Sequence, residues 1–185
     1  MARGLRVIAG TAGGLRLVAP KNARPSTDRA KESLFASLGP GPVDDAVVLD
    51  LYAGSGAFGI EAMSRGASSA VFVDRDRHAL DAIRTNLETT GFADQARVQS
   101  SSVAAFLRQP APEAPFDLVF CDPPYDLPAV DVEHELAVLA DGRWVAPEAT
   151  VVVECRATSR PALPGGWRVG RELAHGDTLL VVATV

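Results

Sequence analysis

Val47-Val48-Leu49-Asp50-Leu51-Tyr52-Ala53-Gly54-Ser55-Gly56-Ala57-Phe58-Gly59 runs from a short apolar block into a turn punctuated by glycines. The block has the length and composition of a buried strand, and Ile60 to Arg65 follows as an amphipathic run that Gly66 stops. The segment therefore reads as strand, tight turn and helix. Gly54 and Gly56 allow the backbone to approach a ligand closely, which a side chain would prevent. A second apolar strand, Ala70 to Val73, ends in Asp74, twenty positions after Gly54. That carboxylate stands at the carboxyl end of the neighbouring strand, placed to accept from ribose hydroxyls.

Gly54-x-Gly56-x-x-Gly59 with a downstream acid is also the dinucleotide fingerprint of dehydrogenases. Two features favour a methyl donor, S-adenosylmethionine, over a nicotinamide. Asp50 precedes the glycines from inside the strand, where its charge can meet an ammonium but would repel a pyrophosphate. At the other end, Trp167 to Ala174 and Thr178 to Val185 both read as strands, separated by His175-Gly176-Asp177. So short a link makes them antiparallel, because a parallel pair needs a crossover. A parallel sheet closed by an antiparallel hairpin is the arrangement expected of class I methyltransferases.

Asp122-Pro123-Pro124-Tyr125 ends another apolar run, Phe116 to Cys121. Two prolines in succession fix φ and remove two N–H donors, so the carbonyls of Asp122 and Pro123 remain as acceptors. An amino group held between the Asp122 carboxylate and the Pro123 carbonyl is gripped on both sides, and Tyr125 can stack on the ring that carries it. The exocyclic amine of a nucleobase is a poor nucleophile because its lone pair is delocalised. Two acceptors taking its hydrogens pyramidalise the nitrogen and free that pair for attack on an electrophilic carbon.

Asp50, Gly54-Ser55-Gly56, Asp74 and Asp122-Pro-Pro-Tyr125 together resemble the amino-methyltransferases, which methylate exocyclic nitrogens of adenine or guanine. The N-terminal segment narrows this. Arg3-Gly4-Leu5-Arg6-Val7-Ile8-Ala9-Gly10 with Gly13-Gly14-Leu15, then Arg24-Pro25-Ser26-Thr27-Asp28-Arg29-Ala30-Lys31-Glu32-Ser33-Leu34-Phe35, is similar to the opening of the bacterial 16S rRNA guanine-N2 methyltransferase family, RsmD. The resemblance implies an α/β, Rossmann-like class I fold: a mostly parallel sheet with an antiparallel C-terminal hairpin strand, helices on both faces and an N-terminal basic β-hairpin. It implies S-adenosylmethionine as cofactor and 16S rRNA as substrate, in an assembled or assembling small ribosomal subunit. Asp122, Pro123 and Tyr125 are the expected catalytic residues. Asp50, Tyr52, Gly54, Ser55, Gly56 and Asp74 are expected to hold the cofactor. After Arg97-Val98 many methyltransferases carry an acidic or amide residue for the adenine amine, whereas this chain has Gln99-Ser100-Ser101-Ser102, so adenine contact falls to Ser102 and Val103. The choice of guanine over adenine rests on the resemblance and not on the motif.

A net charge of −5 argues against a polyanionic substrate until its distribution is considered. Residues 1–31 hold Arg3, Arg6, Arg16, Lys21, Arg24, Arg29 and Lys31 against Asp28 alone, a net +6, so the remainder carries −11. Leu5 to Ala9 and Leu15 to Val18 alternate and are joined by a Gly/Thr/Ala turn, a hairpin with Arg6 and Arg16 facing outward. Arg3, Arg6, Arg16, Arg24 and Arg29 are the expected RNA contacts; for Arg29, pairing with Glu32 or Ser33 on its own helix is the plainer alternative.

The other elements alternate. Ser26 or Thr27 caps a helix whose Ala30, Leu34, Phe35 and Leu38 share a face before Gly39. Asp76 to Thr90 repeats the pattern with Asp76 as cap and Gly91 as stop; shorter candidates are Val103 to Leu107 and Val130 to Leu139, and Val151 to Cys155 reads as a strand. Glu61 on the first turn of its helix faces ligand or solvent, and His78, His134 and His175 read as surface or turn residues. The 185 residues, 47% hydrophobic and 22% charged, suit a single domain, with residues 1–25 a hairpin appendage and 26–185 a helix plus the core. No apolar stretch approaches membrane-spanning length, and the cytoplasm is the default location. Cys121 and Cys155 read as core residues and no ligand spacing predicts a metal. The rival functions are a glutamine-N5 protein methyltransferase, which usually has Asn in place of Asp122 and an N-terminal helical domain, an adenine-N6 enzyme, and a nucleotide-binding module without chemistry.

Overall fold

The computed structural model describes residues 5–20, 28–141 and 143–185. Arg3, Lys21, Arg24, Ser26 and Thr27, assigned above to RNA contact, basic charge or a helix cap, lie outside the described residues. The elements run α1 (Asp28–Leu38), β1 (Val47–Leu51), α2 (Ala57–Ser64), β2 (Ser69–Asp74), α3 (Arg77–Thr90), β3 (Ala96–Ser100), α4 (Val103–Leu107), β4 (Phe116–Cys121), α5 (Ala129–Ala140), β5 (Val145–Arg156), β6 (Arg168–His175) and β7 (Thr178–Thr184).

The strands form one sheet in the order β3-β2-β1-β4-β5-β7-β6. β1 pairs in parallel with β2 and β4, β2 with β3, and β4 with β5; β7 runs antiparallel between β5 and β6. This is the Rossmann-like, mostly parallel sheet with an antiparallel C-terminal hairpin that the sequence predicts. Strand order reverses between β1 and β4, since the chain leaves β1 toward β2 and β3 and returns to β4 on the opposite side. In open α/β sheets such a switch point opens a crevice at the carboxyl ends of the strands.

Alternation of side chains distributes each central strand between two cores. Val48 of β1, Phe72 of β2 and Leu118 and Phe120 of β4 pack with Ile60 of α2 and Ile83 of α3, whereas Leu49, Leu51, Val119 and Cys121 pack with Leu136 and Leu139 of α5. Both faces are therefore covered, which is why the parallel strands read as continuous apolar runs. β5 is longer than its apolar block: it extends back to Val145 through an irregular register between Phe116 and Leu118 and through Glu148 at φ 63°. Polar and proline residues in that half conceal it from periodicity.

The N-terminal hairpin forms around one bridge, Arg6 to Arg16, with Leu17 N–H donating to Leu5 O at 2.8 Å and Val7 N–H to Leu15 O at 2.9 Å. Val7 and Leu17 are buried and Arg6 and Arg16 exposed, as the alternation requires. Its connecting loop rests on α2. Ile8 and Ala9 donate their N–H groups to the Glu61 carboxylate at 2.7 and 3.1 Å, and Ser64 Oγ donates to Ala9 O at 2.6 Å. Glu61 is wholly buried, so the expectation that it faces ligand or solvent is corrected. Its charge is met by Arg65 Nε at 2.7 Å and Lys31 Nζ at 3.4 Å. Lys31, counted above in the basic charge of residues 1–31, is only 2% exposed and donates to Arg6 O. A buried carboxylate with two backbone donors and two cations binds appendage to core through charge that the sequence pattern attributes to surface.

Candidate functional site

The crevice at the switch point is a cavity of about 800 Å³. Its wall is assembled from the carboxyl ends of β1, β2 and β4, the starts of α3 and α4, and one face of α5.

The β1–α2 turn begins with Tyr52 in the left-handed region, φ 59°, which is uncommon for an aromatic residue and turns the chain sharply off the strand. The Tyr52 hydroxyl then donates to Glu135 Oε2 of α5 at 2.7 Å. Gly54 at φ 57° follows, its N–H donating to Asp74 Oδ2 at 2.8 Å, and Asp76 N–H donates to Asp74 Oδ1 at 2.9 Å. Asp74 is thereby fixed at the mouth of β2. A carboxylate has about four acceptor directions, so two remain for hydroxyl groups in the cavity. Gly56 adopts φ 74° to start α2 and is not on the cavity wall; a Cβ on it would meet Phe72 and Ile60 at 3.2 and 3.3 Å, so it serves the turn from behind.

Asp50 is buried under this turn and lines the cavity; its Oδ2 accepts from Gly59 N–H at 2.9 Å. A Cβ at Gly59 would lie 2.4 Å from the Phe72 ring and 3.1 Å from Asp50 Oδ2, so the third glycine of the fingerprint lets α2 close on the carboxylate. Burial raises the Asp50 carboxyl to about 8, the Gly59 hydrogen bond opposes that, and the charge of Asp74 adds to it. Such a carboxyl holds its proton more readily than an exposed one, and a cation beside it would favour the ionised form. Of the other expected cofactor residues, Tyr52, Gly54, Ser55, Asp74, Ser102 and Val103 all line the cavity. The Ser102 hydroxyl also caps α4, accepting from Ala105 N–H at 3.2 Å, a task its sequence position does not disclose.

Asp122 follows β4, held to the end of β1 by its N–H donating to Leu51 O at 3.3 Å, and it lines the cavity. Pro123 and Tyr125 do not. They line a smaller cleft of about 30 Å³ with Glu154 and Arg156, reached past Pro124. The Tyr125 hydroxyl shares a hydrogen bond with Thr178 Oγ1 at 2.7 Å and donates to Glu154 Oε1 at 3.4 Å, while the Arg156 guanidinium lies 4.6 Å from the ring centre. The motif thus divides, its acid at the main cavity and its ring beside a planar cation.

Glu135, His134, Arg75 and Pro20 line the cavity although the sequence reading omitted them or assigned them elsewhere. Glu135 had a signal. It falls with Val132, Leu136 and Leu139 on the buried stripe of α5, where a carboxylate is out of pattern. Burial raises its carboxyl above the ordinary range, with the Tyr52 hydrogen bond opposing and Asp131 adding. Among the described residues, no cluster of His, Cys, Asp and Glu is arranged to hold a metal ion.

The sequence that builds this cavity, with its fixed acid at the second strand and its Asp-Pro-Pro-Tyr segment at the fourth, matches a known family. The family described as "Conserved hypothetical protein 95" covers residues 5–184. Ribosomal RNA small subunit methyltransferase D of Escherichia coli K12 is 38% identical over 176 residues, 94% of this chain and 86% of the relative. The chain belongs to this family. The enzyme of the same name from Haemophilus influenzae is 34% identical over 93% of this chain and 89% of its own. A solved Escherichia coli structure, provisionally assigned as a methyltransferase, superposes with a TM-score of 0.86 at 36% identity, covering 97% of each chain. The protein is an S-adenosylmethionine-dependent methyltransferase of the class I fold, and the nicotinamide alternative is set aside. Among the described residues no helix is long and apolar enough to cross a membrane.

Proposed function

We propose that the protein methylates the exocyclic N2 amine of a guanine in small-subunit ribosomal RNA, the 16S rRNA, met in an assembled or assembling subunit. The observation that carries this reading is the Asp122 carboxylate on the wall of the switch-point cavity, one strand away from the glycine turn. The names of the relatives above supply the substrate class, and the motif supplies the amine.

Bound S-adenosylmethionine supplies an electrophilic methyl on a sulfonium. The residues fit it: Asp74 offers acceptor directions for a ribose, Asp50 a buried carboxyl that a cation would ionise, and Gly54 and Ser55 a close-lying backbone. Ser102 and Val103 line the same cavity and are the residues assigned to the adenine in this reading. A guanine must leave its stack to reach such a site. Asp122, on the cavity wall, then takes an N2 hydrogen and helps restore the lone pair; for the Pro123 carbonyl to take the other and the Tyr125 ring to stack on the base, both must turn from the adjoining cleft beside Arg156 toward the main cavity. No strong base is required, because the nitrogen becomes acidic only as it is alkylated. Arg6, Arg16 and Arg29 are exposed and supply phosphate contacts.

Asp122→Ala tests the assignment. It should lower kcat by about 100-fold or more while leaving adenosyl-homocysteine affinity within about threefold, because the group acts on the amine and not on the donor. Equal losses in both would remove Asp122 from catalysis. Labelled donor with undermethylated subunits, followed by nucleoside analysis, checks the product; N2-methylguanosine is expected and any other methylated nucleoside refutes it. Naked rRNA in parallel distinguishes RNA from particle as substrate.

A further inference from the structure

Asn86 is out of character with its position. It sits within α3 on the stripe formed by Ala79, Ala82 and Ile83, and none of its surface is exposed. Asparagine disfavours helix interiors because its amide competes for backbone partners, and once buried it must find them. It finds three. Oδ1 accepts from Val18 N–H at 2.7 Å, and Nδ2 donates to Val18 O at 2.9 Å and to Ser55 O at 2.9 Å. The amide therefore grips the Val18 peptide as a neighbouring strand would, and with its remaining hydrogen fixes the central residue of the glycine turn. Val18 is 51% exposed, so its backbone and not its side chain is what the core captures.

Ser55 lines the large cavity, and so does Pro20, two residues beyond Val18. Arg16 stands two residues before it. The segment from Arg16 to Pro20 thus leads from the basic hairpin to the cavity rim, and its midpoint is tied to the turn by one side chain. The hairpin's other anchors, Glu61, Ser64 and Lys31, hold Arg6, Ile8, Ala9, Thr11 and Ala12, none of which lines the cavity.

We infer that Asn86 is a positioning residue that couples the donor turn to the RNA-contacting hairpin, so that donor and RNA each bind more tightly when the other is present. The inference rests on the function proposed above, which makes the cavity the donor site and the hairpin an RNA surface. One amide serves both partners, so a ligand that orders either side spares the other part of its ordering cost. By linkage the effect is reciprocal.

Calorimetry of the full chain with adenosyl-homocysteine, with and without saturating small-subunit rRNA, measures the coupling. RNA should tighten donor-analogue binding about fivefold or more in the parent protein. Val18→Pro deletes the N–H that donates to Asn86 and leaves the arginines and cavity-lining residues in place; Asn86→Leu removes the amide while keeping the branching of the side chain. In Asn86→Leu the ratio of affinities with and without RNA should fall to about one, and in Val18→Pro, which keeps the bonds to the Val18 and Ser55 carbonyls, it should fall part of the way, to half the parent value or less. A purely structural role would lower melting temperature or both affinities without moving that ratio. A parent ratio of one, or a parent-like ratio in folded Val18→Pro, overturns the inference; Val18→Pro decides should Asn86→Leu fail to fold. Arg6→Glu with Arg16→Glu separates the two readings. RNA binding indifferent to that reversal sinks the hairpin as an RNA surface, whereas weakened RNA binding with a persistent ratio in Val18→Pro sinks the coupling alone.

Discussion

Asp50 illustrates how one residue's chemistry follows from its enclosure. Its carboxyl is closed in by α2 because position 59 is glycine, and burial raises it to about 8. An acid raised in the folded state binds more protons there than in the unfolded chain. Its contribution to stability therefore declines as pH rises from the ordinary carboxylate range to about 8, then levels off. Donor binding has the opposite trend. If the donor's ammonium meets an ionised Asp50, binding releases a proton, and affinity for adenosyl-homocysteine should increase toward pH 8. Calorimetry in buffers of different ionisation enthalpy would show that proton, and Asp50→Asn should abolish both the proton and the trend; a proton release unchanged in Asp50→Asn assigns it elsewhere. The aspartate and its glycine spacing were readable in the chain, since a carboxylate inside an apolar strand is conspicuous. Glu135 was equally conspicuous on its helical stripe, but its partner Tyr52 is 83 positions away, and nothing local announces such a pair.

At the scale of elements, the hairpin loop and α2 fit together through Gly10. Its φ is 85°, and a Cβ there would lie 1.7 Å from the Ser64 carbonyl oxygen, which is backbone and cannot step aside. Gly10→Ala should therefore cost roughly 2–3 kcal/mol by overpacking and the left-handed backbone together. Thermal unfolding of the variant checks the loss; an unchanged melting temperature would mean that the loop does not dock as described. Helices α3 and α5 and the C-terminal hairpin were legible from period, cap and turn residues, with Asp76 accepting from Ala79 N–H at 3.0 Å and Gly91 closing α3 at φ 78°. The first half of β5 was not. Its irregular register and a left-handed Glu148 are set by pairing with β4, and no local pattern encodes them.

For the whole molecule, charge is segregated rather than balanced. The acidic remainder repels RNA, so approach should depend on the exposed arginines of the N-terminal segment, and Lys31 contributes nothing there because Glu61 holds it inside. Reversing Arg6 and Arg16 to Glu should weaken rRNA binding and flatten the slope of log affinity against log salt by about 1.5, two phosphate contacts' worth, while sparing donor affinity. An unaltered slope would relocate the RNA surface. The chain by itself determined the strand-turn-helix at Val47 to Gly59 and the antiparallel closure at His175 to Thr178, because each depends on the torsional limits and periodicity of neighbouring residues. Tertiary structure alone decided that Lys31 and Glu61 are buried partners, that Asn86 joins hairpin to glycine turn, and that Tyr125 and Asp122 face different cavities. Those outcomes depend on which distant groups share a volume without water, and a buried charge or amide accepts whatever partner the fold brings to it.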